Sequence, residues 1–266
     1  MDRQFYGDML QEVSCRTDAG RVRVLNEDFV MFEKVPQTAH ADQPPAGIYV
    51  LADGMGGHEH GEVASRLAAR AVISTLLDAC EKSPNDLVDR AGNRLKYAFQ
   101  RAHALVKARN RGYGMNMGTT LVAAIIVGQE THIASVGDSR AYIITRTGIQ
   151  QLTTDHTMTQ KLLESGAITH EQTKNHPYEH MLTQAIGLES VMEVDLFQTQ
   201  LMDGDTLLLC SDGLTRELDD KAIHRIVSTA MSSQSACDML ITAANQAGGR
   251  DNIAVVVVRL KDNHNR

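Results

Sequence analysis

The stretch LLLCSDGLTR, residues 207–216, holds two incompatible chemistries. Cys210 and Arg216 are spaced as C-x-x-G-x-x-R, the outline of a loop in which a thiolate attacks phosphorus and a guanidinium grips the phosphate. Such a nucleophile needs backbone N–H groups ahead of a helix N-terminus, and the following ELDDKAIHRIV could form that helix. Asp212 and Gly213 offer the alternative, a carboxylate at the end of an apolar strand. Cys210 is then a small buried strand residue, and Arg216 a surface or flap-facing charge. Four more aspartates share the setting of Asp212: Asp53 after YVLA, Asp138 after ASVG, Asp251 in GGRDN and Asp28 before FVMF. A single aspartate at a strand end usually starts a turn. Several at the strand ends of one β core can converge, and converging carboxylates repel unless a cation neutralises them. Carboxylate and carbonyl oxygens suit magnesium or manganese rather than zinc, and no H-E-x-x-H motif is present. Glycine follows both Asp53 and Asp212, so the backbone can approach closely and the Gly54 carbonyl can join the donors.

Positioning these residues takes a core. The chain of 266 residues is long enough for one domain, residues 1–266, with a sizeable interior. GIYVLA (47–52) reads as a buried strand running into a Gly-rich loop. Val63, Leu67, Ala71 and Leu76 lie on one stripe of a helix, and Leu87, Ala91, Leu95, Phe99, Ala102 and Val106 on a second, over 85–110. TTLVAAIIV, THIASV and AYIIT read as an antiparallel meander, with DTLLLCS and IAVVVVRL as further strands. Residues 36–46 read as a solvated loop, and the polar, His-rich 155–182 as a mobile surface flap with some helix. Strands at the centre with helices outside is the expected arrangement.

The net charge of −7, without a basic stripe, argues against a general nucleic-acid binder. Cys15, Cys80, Cys210 and Cys237 are far apart, which suits buried thiols rather than a disulfide framework. The N-terminus has no leader-like pattern, and no apolar run reaches the ~18 residues of a membrane span. A cytoplasmic protein is the expectation.

RVLNED, VLADGMGGH, GTTL, VGDSRAY, LCSDGLT and GGRDNIAVVVV occur in the order seen in the protein phosphatase 2C family, the metal-dependent serine/threonine phosphatases, and span residues 23–258. The chain resembles the compact bacterial members. The resemblance implies an α+β fold, a central sandwich of two antiparallel β-sheets flanked by pairs of helices. It implies two magnesium or manganese ions at one edge. Asp53 would bridge both, Gly54 would bind one through its carbonyl, and Asp212 and Asp251 would complete the first ion's shell. Glu27 and Asp28 would bind or support the second ion, and Asp138 matches a residue linked to a possible third. Arg23 matches the arginine that holds the substrate phosphate, and Asn252 would support the site through Asp251 or its waters. Two ions about 3.5–4 Å apart lower the pKa of a shared water, which then attacks phosphorus in line with the serine or threonine oxygen. Phosphorylated proteins are the implied partners, a serine/threonine kinase and its substrates, met by a monomeric phosphatase.

The sequence departs from the family at Met55, where many eukaryotic members have a histidine proposed as general acid. His58 follows nearby, and a structural role suits it at least as well. Ala254 stands where the family usually has a threonine. The C-x-x-G-x-x-R match explains none of the other motifs. DGMGGHEHG lacks both the Lys-Ser/Thr of a P-loop and the third glycine of a dinucleotide loop. CSDGL is not a G-x-S-x-G elbow. A catalytically silent phosphatase-like module would have lost acidic positions, and here all are present.

Overall fold

The computed structural model describes residues 9–35, 45–55, 60–82, 90–173, 176–188 and 192–262. Its strands are β1 (Met9–Asp18), β2 (Asp28–Val35), β3 (Ala46–Met55), β4 (Gly118–Thr119), β5 (Leu121–Val127), β6 (Glu130–Val136), β7 (Arg140–Thr145), β8 (Gly148–Gln151), β9 (Asp195–Gln200), β10 (Thr206–Cys210) and β11 (Ile253–Asp262). The helices are α1 (Gly61–Lys82), α2 (Ala91–Tyr113), α3 (Met158–Glu164), α4 (His170–Thr173), α5 (Asp212–Thr215), α6 (Asp220–Thr229) and α7 (Ser233–Ala247).

The strands form two antiparallel sheets. One has the order β1-β11-β10-β7-β8, the other β2-β3-β5-β6-β9, with β4 beside β3. Strands that are buried on both faces read as unbroken aliphatic runs, and β5, β10 and β11 do. Tyr49, Leu51, Val122, Ile126, Leu207, Leu209, Val256 and Val258 fill the space between the sheets. The opposite face of β3 and β5 meets α1 and α2 through Val50, Ile125, Val72, Leu76, Leu95 and Phe99. The outer face of β10 and β11 meets α6 and α7 through Leu208, Val257, Ile223, Val227, Cys237 and Leu240. The result is the expected sandwich between pairs of helices.

Three expectations need correction. The meander breaks after β6: β5 pairs with β6, but β7 pairs with β8 and β10 in the other sheet. The reversal sits at Gly137, whose φ of 106° is open to glycine, and where a Cβ would stand 2.6 Å from the Thr120 side chain. Crossing between sheets there puts Asp138 at the sandwich edge. The second helix begins at Ala91, with Arg90 outside it, and runs on to Tyr113; residues 85–89 lie outside the described residues. It stops at Gly114, whose left-handed backbone (φ 63°) turns its N–H back to the Asn110 carbonyl. Of the cysteines, Cys80, Cys210 and Cys237 are buried thiols, whereas Cys15 is only partly covered.

Residues 155–182 run between β8 and β9 and carry α3 and α4, with 174–175 outside the described residues. The segment is tied down where it leaves β8. Arg140 on β7 forks onto Asp155 through Nε and Nη2, at 3.0 and 2.6 Å. Thr157 caps α3, its Oγ1 accepting from Gln160 N at 3.2 Å. Of the loop expected at 36–46, residues 36–44 lie outside the described residues, and Ala46 opens β3. Among the described residues no helix is long and apolar enough to cross a membrane.

Candidate active site

Antiparallel pairing of β2 with β3 sets Asp28 directly opposite Asp53. The end of β10 and the approach to β11 bring Asp212 and Asp251 to the same edge from the other sheet. Ser211 joins the two. Its Oγ donates to Asp28 Oδ2 at 2.8 Å and accepts from Ala254 N at 2.9 Å. Asp28 Oδ1 is buried with no hydrogen-bond donor, beside the Asp53 carboxyl.

Crowding and burial act on these acids together. Burial, then Asp212, pushes the Asp28 carboxyl up to about 7. Burial and then the Asp28 charge push Asp53 well above the usual carboxylate range. Asp138 rises to about 8, through burial first and Asp212 second, and burial also raises Asp212 against the pull of Arg216. Four carboxyls held above their ordinary range mark a place where a proton or another cation is required.

The backbone around Asp53 is fixed by threonines. Thr119 Oγ1 and Thr120 N both donate to the Asp53 carbonyl, at 2.8 and 2.9 Å. Gly54 is pinched between chain segments: a Cβ there would lie 2.3 Å from the Gly61 carbonyl oxygen and 2.6 Å from that of Glu27. The Glu27 side chain accepts from Gly61 N at 3.1 Å, at the first turn of α1, where a carboxylate complements the helix dipole. Burial raises its pKa. Asn252 is buried and holds the segment that carries Arg23 and Glu27. Its Oδ1 accepts from Glu27 N at 2.8 Å, and its Nδ2 donates to Leu25 O and Ala19 O at 2.8 and 3.0 Å. Its own N–H donates to Asp251 Oδ1 at 2.9 Å.

A groove of about 870 Å³ opens beside this edge, and Thr157, His170, His180, Asp138, Asp212 and Arg216 are among the residues that line it. Cys210 takes no part in it. The thiol is fully buried in the apolar layer under α6 and α7, which pushes its pKa up to about 12. Such burial disfavours the thiolate that a nucleophile on this loop would need.

Residues 36–248 match the family model described as protein phosphatase 2C. The chain belongs to the protein phosphatase 2C family. It is 40% identical over 247 residues to the serine/threonine phosphatase Stp of Listeria welshimeri, covering 91% of this chain and 93% of that one. It superposes on the Mycobacterium tuberculosis serine/threonine phosphatase PstP/Ppp with a TM-score of 0.80 at 32% identity, covering 94% of this chain and 99% of that one. A PstP catalytic domain in complex with two manganese ions gives a TM-score of 0.77 at 30% identity, covering 96% and 100%. The activity of this phosphatase 2C chain is that of a bacterial-type, metal-dependent protein serine/threonine phosphatase.

Within the phosphatase 2C frame, Asp28, Asp53, Gly54, Asp212 and Asp251 come together at one edge, with Glu27 and Asn252 behind them and Asp138 beside Asp212. Arg23 is half exposed, and its Nη2 lies 2.8 Å from Asp251 Oδ2. His58 lies outside the described residues. Sequence reasoning missed Ser211, Thr119 and Thr120, which carry no charge. It also set Arg216 aside as a surface or flap-facing charge; Arg216 does line the groove, but it is ion-paired with Asp212 and Asp251. The signal was available as an i, i+4 acid–base pair across a short helix.

Proposed function

We propose that the edge formed by Asp28, Asp53, Asp212 and Asp251 holds two divalent cations, magnesium or manganese, and that the phosphate of a phosphoserine or phosphothreonine is hydrolysed beside them. The observation that carries this reading is Asp28 Oδ1, a buried carboxylate oxygen without a donor, among three further carboxylates. Hard oxygen donors fit such ions. When bound, the ions supply Lewis acidity toward the phosphate oxygens and acidify a water.

The chain's own residues do the rest. Asp53 is paired with Asp28 on the neighbouring strand and would serve both ions, with the Gly54 carbonyl next to it. Asp212 and Asp251 bind from the other sheet. Glu27 steadies the start of α1 and supports the Asp28 side. Arg23, on the segment anchored by Asn252, supplies a guanidinium whose planar fork matches phosphate and offsets its charge. Asp138 is the candidate for a third ion. The groove beside the edge receives the polypeptide around the phosphoresidue, and Thr157, His170 and His180 from the segment after β8 help to line it. The substrates in this reading are proteins phosphorylated by a serine/threonine kinase, and the kinase itself, met in the cytoplasm by a monomeric, one-domain phosphatase.

The test compares wild type, Asp212→Asn and Cys210→Ser on a phosphothreonine peptide with manganese, and again with EDTA. Asp212→Asn should lose at least about 10²-fold in kcat, Cys210→Ser should remain active, and EDTA should abolish turnover. A dead Cys210→Ser with EDTA-insensitive wild type would sink the reading.

A further inference from the structure

Arg216 has no part in the chemistry above, yet it sits in its middle. It follows the short α5, and its N–H donates to the Asp212 carbonyl at 2.8 Å, which places its side chain one turn from that of Asp212. Arg216 Nη2 is paired with Asp212 Oδ2, and its Nη1 lies 3.2 Å from Asp251 Oδ2. One planar fork therefore bridges both acids assigned to the first ion. Arg23 reaches only Asp251, on the same Oδ2, and its side chain is about twice as exposed, 51% against 26%. Among the described residues, no three His, Cys, Asp or Glu side chains already close around one point. The oxygens of Asp212 and Asp251 are instead turned to guanidinium.

A hard cation and an arginine fork compete for the same carboxylate lone pairs. We propose that Arg216 is a built-in counter-cation of the ion site: it holds Asp212 and Asp251 while no divalent ion is bound there, and swings into the adjacent groove when one binds. The inference rests on the two-ion reading above. The groove gives the side chain somewhere to go, because Arg216 already lines it. The Arg216 charge also pulls the Asp138 carboxyl down, against burial and Asp212. Two consequences are linked. The pair stabilises the ion-free protein, and by the same amount it weakens apparent ion affinity, because binding must first break it.

The test uses full-length wild type and Arg216→Gln, with Mn²⁺ titrated by calorimetry and melts recorded in chelator and in saturating Mn²⁺. Arg216→Gln should bind Mn²⁺ about ten-fold more tightly, melt lower in chelator, and melt like wild type with Mn²⁺ bound. The guanidinium ¹⁵N resonance missing in Arg216→Gln should move toward solvent-exposed values when wild type is saturated with Mg²⁺. Equal Tm loss in both states with unchanged affinity would make Arg216 merely structural and overturn the proposal, as would no change at all or a resonance unmoved by Mg²⁺. A wild type that takes up no Mn²⁺ would instead overturn the two-ion reading, and this one with it.

Discussion

Asn252→Ala offers a clean test of how the segment that carries Arg23 and Glu27 is held. The side chain is 5% exposed and makes three hydrogen bonds, one from Glu27 N and two to the carbonyls of Ala19 and Leu25. At about 1 kcal/mol net per bond, truncation costs about 3 kcal/mol. Surface substitutions away from such features stay within about 0.5 kcal/mol, so the effect stands clear of background. Urea unfolding in chelator should show the midpoint falling at constant m, which reads as lost stability rather than a changed unfolded state. Hydrogen exchange at the Glu27 amide should accelerate, since its acceptor is gone. Catalysis should suffer through KM more than kcat, because the released segment carries Arg23. A variant within about 0.5 kcal/mol of wild type, with the Glu27 amide still protected, would refute the argument that this residue anchors residues 19–27.

The metal-free protein should lose stability as pH rises. Asp28 and Asp138 titrate near 7 and 8 when folded but near 3.8 when unfolded, so the folded state binds more protons across that window, and Tm in chelator should fall from pH 5 to 8. Saturating manganese should flatten that slope, and a chelated Tm that rises with pH would contradict it. Gly54→Ala should destabilise by about 1–3 kcal/mol and depress activity, because backbone oxygens stand on two sides of the added methyl; a wild-type melt with full turnover would show that the pinch is absent.

The parts of the fold visible in the sequence are those where burial leaves no choice of residue. The runs LLLC and IAVVVV are aliphatic because β10 and β11 are covered on both faces, and they announce themselves. β9 does not, since DLFQTQ alternates between covered and exposed positions at a sheet edge. β1, also an edge strand, hides in the polar mixture MLQEVSCRTD. Periodicity identified β7 as a strand but carries no record of its partner, so a local meander was the natural reading. Only Gly137 hinted at the crossing, and a glycine does not say which sheet comes next. Aspartates at strand ends were legible as a set, since five in one setting exceed what turns need. Of their protein partners Asn252 was legible beside Asp251, whereas Ser211, Thr119 and Thr120 were not, because they act through contacts made between distant segments.

The same layering explains why a cluster that works against folding is tolerated. The interior between the sheets is aliphatic, with Leu51, Val122, Leu209 and Val256 among its residues, and supplies cohesion without direction. Acids placed within that layer would face the full cost of burial without partners. At the edge, strands from both sheets end together, so carboxylates converge while water and a groove remain within reach. Apolar packing alone would let the sheets settle in several nearly equivalent slides. The Ser211–Asp28 hydrogen bond spans the two sheets at 2.8 Å and does not. It couples sheet register to carboxylate position: sliding one sheet against the other breaks that bond and separates Asp28 and Asp53 from Asp212 and Asp251 in the same movement. A serine with no charge of its own therefore ties together the acids that the two sheets bring to this edge.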